Sequence, residues 1–200
     1  MTHIDKNRVT GLVLAGGRGS RMGGVDKGLQ PLDGKPLAQH ALERLAPQVG
    51  RIMLNANRNL DAYARFAVPV WPDADAEFAG PLAGMLAGML HCETDWLATV
   101  PCDSPRFPLD LVERLARELG SAAAAVAVTI EGGRAHRQPV FCLVQVALAA
   151  DLASYLQHGG RKVDPWLDRH HAAAVPFPLA EAFFNANTLD ELRRLGRTAV

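Results

Sequence analysis

Cysteine is scarce. Cys92, Cys102 and Cys142 stand far apart, and no C-x-x-C pair occurs. That spacing indicates neither a disulfide framework nor a zinc site, and reduced thiols in the cytosol are the simplest account. Charge of one sign is not in excess either. Lys+Arg and Asp+Glu are each 21, so the formal net charge is zero, which argues against a nucleic-acid or membrane surface built on bulk charge. The longest strongly apolar stretch, Ala122 to Val128, is far too short to span a bilayer. The opening residues MTHIDKNRV are polar and lack the apolar region of a signal peptide. A cytoplasmic protein is therefore expected. Internal repeats and low-complexity linkers are missing too. With 48% hydrophobic residues in 200, the expectation is a single domain, 1–200, with a full core.

Two familiar phosphate-binding patterns are also missing. For G-x-G-x-x-G starting at Gly17 and Gly19, the third glycine would fall on Met22. For the P-loop, Gly19 and Gly24 are correctly spaced, but Val25 stands where lysine is needed. What the chain has instead is the stretch VLAGGRGSRMGGVDKGLQPLDGKPL, Val13 to Leu37. An apolar run over Thr10 to Leu14 reads as a buried strand and stops at Ala15-Gly16-Gly17. Glycines recur at 19, 23, 24 and 28. Each would cost roughly 1 kcal/mol of helix stability relative to alanine, so the stretch is a loop. Glycine lets bare backbone N–H groups approach an anion, and Arg18, Arg21 and Lys27 lie in the same loop. Strand, glycine loop and cations together suit a polyphosphate.

Further along, apolar runs and helical periodicity alternate. Strands are expected over Arg51 to Ala56, Val68 to Trp71, Trp96 to Val100, Ala124 to Ile130, Gln138 to Val144 and Ala173 to Phe177. Helices are expected from Lys35-Pro36-Leu37 to about Pro47, over Asn59 to Phe66, Leu82 to His91, Leu109 to Leu119, Val146 to Gln157, Val163 to Arg169 and Leu189 to Leu195. Thr188 is a good N-cap for the last of these. Such alternation predicts a mainly parallel sheet with helices on both faces. Ligands of such sheets bind outside the carboxyl ends of the strands. Gly16, Asn55, Asp73 and Asp103 each follow a candidate strand, which puts all four on one rim.

The residues of the loop carry a resemblance. Leu14-Ala15-Gly16-Gly17, Arg21-Met22-Gly23 and Lys27 match the nucleotidyltransferase signature L-A-G-G-x-x-x-R-M-G with a lysine shortly after. The longer run RMGGVDKGLQPLDGKPL resembles the molybdenum cofactor guanylyltransferases, and the resemblance extends from the first strand to the turn at Asn187. Sugar-nucleotide enzymes instead usually carry a threonine before the arginine and a later Pro-Lys. The cytidylyl branch usually has L-A-A-G in the first segment and departs at Pro81-Leu82-Ala83-Gly84. The resemblance implies an α/β, Rossmann-like three-layer domain with a mainly parallel, mixed central sheet, of the nucleotide-diphospho-sugar transferase type. It implies transfer of GMP from GTP, with Mg2+, to the phosphate of Mo-molybdopterin, giving the guanine dinucleotide cofactor and pyrophosphate. Alternatives are a molybdopterin cytidylyltransferase, a sugar-phosphate nucleotidyltransferase and, from another class, a non-catalytic nucleotide-binding cofactor chaperone.

Nucleotidyl transfer requires a positioned triphosphate and neutralised charge. Asp103, a strand-end carboxylate in Pro-Cys-Asp-Ser-Pro, is the candidate magnesium ligand. Lys27 and Arg21 are the candidate phosphate cations, with Arg18 a weaker one. Asp73 offers an acceptor for guanine N1–H and N2–H₂, and Asn55 can both donate and accept. The resemblance adds Leu14, Ala15, Gly16, Gly17, Gly80, Pro81 and Leu82 to the nucleotide site. It gives Asn187 to the metal shell and Asn185, Arg137 and Gln138 to the pterin side. Implied partners are GTP, Mo-molybdopterin, molybdenum-insertion proteins and apo-molybdoenzymes or their chaperones. Cys102 adjoins Asp103 but has no histidine motif to activate it, so it reads as packing. Adjacent His170 and His171 cannot share one helical face as a metal pair would, and they read as a helix end.

Overall fold

A computed structural model of the chain describes residues 4–17, 25–73, 80–186, 188 and 191–192. In chain order the elements are β1 (Val9–Leu14), β2 (Pro31–Leu32), β3 (Lys35–Pro36), α1 (Leu37–Leu45), β4 (Arg51–Asn55), α2 (Leu60–Ala64), β5 (Val70–Trp71), α3 (Pro81–Leu90), β6 (Trp96–Pro101), α4 (Leu111–Glu118), β7 (Ala124–Glu131), β8 (Arg134–Gln145), α5 (Ala149–Gln157), α6 (Val163–Arg169) and β9 (Ala173–Phe177).

Seven strands form one sheet in the order β5-β4-β1-β6-β8-β7-β9, and β2 and β3 pair as a separate small hairpin. β4, β6 and β5 run parallel to β1 and its neighbours, β8 is antiparallel to both β6 and β7, and β9 is parallel to β7. The sheet is thus mixed and mainly parallel, as expected from the sequence. Its two faces are covered separately, because strand side chains alternate. Val9 and Val13 join a core with Leu42 and Leu45 of α1 and Leu111 and Leu115 of α4. Leu12 and Leu14 join a second core with Met85 and Leu86 of α3, Leu152 of α5 and Trp166 of α6.

Glycine decides how closely two helices approach. A Cβ on Gly11 of β1 would lie 2.7 Å from Leu45 Cδ2, so the bare strand lets α1 settle there. On α3, a Cβ on Gly88 would lie 2.5 Å from Leu12 Cδ2. The small residues of PLAGMLAGML therefore bring α3 down onto β1.

The chain leaves β1 towards β4 and β5 on one side and returns to β6 on the other, which makes β1 the switch point. Leu14 is in register with Asn55 on one flank and with Pro101 on the other. The ladder continues one step past the strands: Ala15 N–H donates to Asn55 O at 2.8 Å, and Cys102 N–H donates to Leu14 O at 3.0 Å. Residues 15–16, 55–57 and 102–103 are thereby held side by side.

Two expectations need correction. Lys35 and Pro36 were expected to open a helix, but they form β3 opposite Leu32 and Pro31, and Pro36 is the N-cap of α1. The extended N-cap leaves Leu37 to start the helix. The strand expected over Gln138 to Val144 begins earlier, at Arg134, and Arg134 to Pro139 lies within β8 as the outer part of a long hairpin with β7. The register jumps between Val126, opposite Cys142, and Ala127, opposite Gln138. This irregularity separates a buried inner half of β8 from its polar outer half, which hid the outer half from an apolar-run reading. The Thr188 N-cap is present: Thr188 Oγ1 accepts from Glu191 N–H at 3.1 Å, and Glu191 Oε2 accepts from Thr188 N–H at 2.9 Å. That is a reciprocal capping box.

Candidate active site

The rim holds two polar groups, one beside β4 and β5 and one beside β6. The first centres on Asn55, which is almost fully buried at the last position of β4. Its Nδ2 donates to Trp71 O at 3.0 Å and to Asp73 Oδ1 at 2.9 Å. Asn57 completes the arrangement. Its Nδ2 donates to Asp73 Oδ2 at 2.8 Å, and its Oδ1 accepts from Asp73 N–H at 2.7 Å. Two carboxamides thus fix the Asp73 carboxyl group in one orientation.

Two glycines face this carboxamide. A Cβ on Gly16 would fall 2.9 Å from both Asn55 Oδ1 and Asn57 Nδ2, and a Cβ on Gly84 would fall 2.3 Å from Asn55 Oδ1. Glycine is required at both positions because Asn55 lies between them. An added Cβ at Gly17, by contrast, would meet nothing within 4 Å among the described residues. Gly80 caps α3 at φ 114°, a conformation that L side chains rarely adopt, and Pro81 takes the first helical position. Leu82 points into the core.

The second group is ionic. Lys27 Nζ lies 3.2 Å from Asp103 Oδ2, with both side chains about four-fifths buried. Lys27 opens a single 3₁₀ turn, Lys27–Leu29, and the residue before it is anchored deeply. Asp26 is buried; Tyr63 Oη donates to its Oδ1 at 2.6 Å, and Asn59 Nδ2 donates to its Oδ2 at 2.9 Å. Burial first, and then this bond to Asp26, pushes the Tyr63 hydroxyl far above its ordinary pKa, so it remains a donor. Gly28 makes room for that hydroxyl, since a Cβ there would lie 2.3 Å from it.

Asp103 is also tied to the late turn. Ala186 N–H donates to Asp103 O at 2.8 Å, and the buried Ser104 hydroxyl is hydrogen-bonded to Asn185 Oδ1. Asn185 therefore adjoins the Asp103 turn. Arg21, Arg18 and Asn187 lie outside the described residues. Arg137 and Gln138 sit on β8: Arg137 Nη1 is 2.5 Å from Asp168 Oδ1 of α6, and Gln138 Nε2 donates to Thr129 Oγ1 at 3.1 Å. Burial, and next the charge of Asp103, raises the Cys102 thiol well above its usual pKa. That leaves Cys102 protonated and unsuited to nucleophilic attack.

Sequence reasoning missed Asn57, Arg58, Asn59, Asp26, Tyr63 and Ser104. The run Asn57-Arg58-Asn59 directly after a strand end was the available signal, since polar residues there face the rim.

Known proteins of one family resemble the chain over nearly its whole length. A family model described as the MobA-like NTP transferase domain matches residues 11–195. A molybdenum cofactor guanylyltransferase of Bordetella petrii is 59% identical over 194 residues, covering 96% of this chain and 99% of that protein. One from Ralstonia nicotianae is 57% identical over 199 residues, covering 96% and 98%. Among solved structures, molybdopterin-guanine dinucleotide biosynthesis protein A from Archaeoglobus fulgidus matches with a TM-score of 0.73 at 24% identity, covering 94% of this chain and 97% of its own. The 4-diphosphocytidyl-2C-methyl-D-erythritolsynthase of Anaerococcus prevotii matches with a TM-score of 0.75 at 11% identity, covering 96% and 98%. At such identities the structural likeness is one of fold.

Proposed function

The chain belongs to the MobA-like nucleotidyltransferase family, and from that premise we infer that it is a molybdenum cofactor guanylyltransferase. It transfers GMP from GTP to the phosphate of Mo-molybdopterin. An acceptor phosphate oxygen bonds to the α-phosphorus, the bond from that phosphorus to the α,β-bridging oxygen breaks, and pyrophosphate leaves. The observation that carries this reading is the division of the rim. Asn55 Oδ1 and the Asp73 carboxylate offer acceptors beside bare glycine backbone, and the Lys27–Asp103 pair lies on the other flank of β1. A base and a triphosphate need those two chemistries at one strand edge.

In this reading Asn55 and Asp73 orient the base, and Leu14 to Gly17 with Gly80 to Leu82 wall the nucleotide, Leu14 and Leu82 through their backbone because their side chains are buried in the core. Lys27, with Arg21, neutralises charge on the departing pyrophosphate. Nucleotidyltransferases use a divalent metal, and the donor chemistry fits a hard ion such as Mg2+. Lys27 engages one carboxylate oxygen of Asp103, and a carboxylate presents a second. Magnesium needs only one or two carboxylates when phosphates and water complete its shell. Asp103 would hold it, with Asn187 as a further ligand. Its chemistry there is charge stabilisation on the transferring phosphoryl group. Asn185, Arg137 and Gln138 serve the pterin side.

The whole chain, 1–200, acts as one domain; a single sheet drawing strands from Val9 through Phe177 supports this. Among the described residues no helix is long and apolar enough to cross a membrane. We place the protein in the cytoplasm, receiving substrate from molybdenum-insertion proteins and passing product to apo-molybdoenzymes or their chaperones. Pyrophosphate release with GTP, CTP, ATP and UTP, with and without molybdopterin, tests the assignment. Release should require GTP, a divalent metal and the pterin together. Turnover with CTP, or with a sugar phosphate, would replace it.

A further inference from the structure

The turn Asn57-Arg58-Asn59 reaches three parts of the rim at once. Asn57 holds Asp73, as described, and its Nδ2 also lies 3.4 Å from Gly16 O. Asn59 holds Asp26 from a left-handed conformation at φ 53°, which asparagine tolerates better than most residues. Arg58 stands between them. Its Nη2 donates to Val25 O at 3.0 Å and to Gly17 O at 3.4 Å, and its Nε lies 3.7 Å from Asp26 Oδ2. Gly17 ends the segment after β1, and Val25 and Asp26 lead into the Lys27 turn. One guanidinium therefore joins the two stretches that the glycine-rich loop separates in sequence.

We propose that Asn57-Arg58-Asn59 is the positioning element of the nucleotide site, with Arg58 setting the affinity for the triphosphate by holding the Lys27 turn against the end of β1. Arginine suits this role because its planar fork donates to two carbonyls in fixed directions, whereas a lysine presents one compact charge. Asn57 governs the base side through Asp73, so the element has two separable arms. This rests on the guanylyltransferase reading of the site.

Calorimetric titration of GTP and of guanosine into wild type, Arg58→Gln, Arg58→Lys and Asn57→Ala separates the arms. Arg58→Gln should weaken GTP by about tenfold or more, the size of one lost charge-assisted hydrogen bond, and leave guanosine within about twofold. Arg58→Lys should recover part of the GTP affinity. Asn57→Ala should weaken both ligands alike. Equal losses for GTP and guanosine in Arg58→Gln, or no loss in either, would overturn the proposal. If Arg58→Gln does not fold, Arg58→Lys carries the test, and its GTP-to-guanosine affinity ratio must fall in the same direction. Wild type that prefers CTP would instead remove the guanylyl reading, and the Arg58 arm would then be read from CTP against cytidine.

Discussion

Lys27 and Asp103 stand 76 residues apart in sequence, yet Lys27 Nζ donates to Asp103 Oδ2 at 3.2 Å, close to the point where β1 and β6 end. A cation and a carboxylate at one strand edge can serve opposite partners, one a phosphate and the other a metal. Both are already partly removed from water, so each interaction is stronger than at an open surface. Asp103→Ala should lower turnover by at least about a hundredfold while the fold persists, since it removes a rim ligand and little core volume. Far-ultraviolet circular dichroism would report the fold, and pyrophosphate release at saturating magnesium the turnover. Near-normal release would remove Asp103 from the metal site.

Lys27→Ala should act on the triphosphate. Its loss should weaken GTP about tenfold to a hundredfold and guanosine hardly at all, because only the former presents phosphates to the ammonium group. Comparable losses for both ligands in calorimetry would show that Lys27 supports the site structurally.

Much of this arrangement is legible in the sequence. Strand ends are marked by a change from apolar to small or polar residues, so Leu14-Ala15-Gly16, Asn55 and Asp103 could be placed on one rim. The N-cap at Thr188 is local and needs only its residue type, while its reciprocal partner Glu191 emerges from the structure. What stayed hidden depends on pairing across long sequence distances. Asp26 reads as an ordinary loop acid until Tyr63, 37 positions later, is seen to reach it. Arg58 reads as a surface cation until α2 and the end of β1 bring Val25 and Gly17 to it. The outer half of β8 was missed for another reason, since an exposed hairpin arm carries no apolar run.

The Asp26–Tyr63 bond should matter to stability. Tyr63→Phe leaves a buried oxygen with one donor fewer, and unfolding in urea should show a loss of about 1–3 kcal/mol. Gly28→Ala should destabilise too, because its methyl would collide with the Tyr63 hydroxyl. The double variant should cost less than the sum, since removing the hydroxyl also removes the collision. Strict additivity would mean that the two sites do not share this space.

The three thiols should differ in reactivity. Burial raises Cys102 and pushes Cys142 up to about 12, whereas Cys92 is only half-buried. The thiolate is the reactive form. An aromatic disulfide reagent at pH 8 should therefore label one thiol rapidly in the native protein and three after denaturation. Rapid labelling of all three would show that the sheet opens readily around β6 and β8.

Base choice should turn on the space around Asn55. Gly16 and Gly84 approach its carboxamide from two sides, and a Cβ on Gly17 would meet nothing within 4 Å among the described residues. Asn55 Oδ1 cannot simply swing away, because its Nδ2 is fixed by Trp71 O and Asp73. A methyl at Gly16 must therefore displace Asn55, Asn57 or the backbone, and each displacement loosens Asp73. Guanine asks more of this pocket than cytosine does. It is the larger base, and it needs an acceptor for N1–H and N2–H₂ in register with a donor for O6. Each buried group left unmatched costs about 1–3 kcal/mol. Gly16→Ala should accordingly lower kcat/KM for GTP more than for CTP, while Gly17→Ala should change neither by much. Replacing both Leu14 to Gly17 and Pro81 to Gly84 with cytidylyl-type residues should shift the ratio further than either segment alone, because both press on one carboxamide. The measurement is the GTP-to-CTP ratio of kcat/KM in the single and combined variants. A combined variant with an unchanged ratio would place base reading on Asp73 and Asn55 alone, independent of the glycines that confine them.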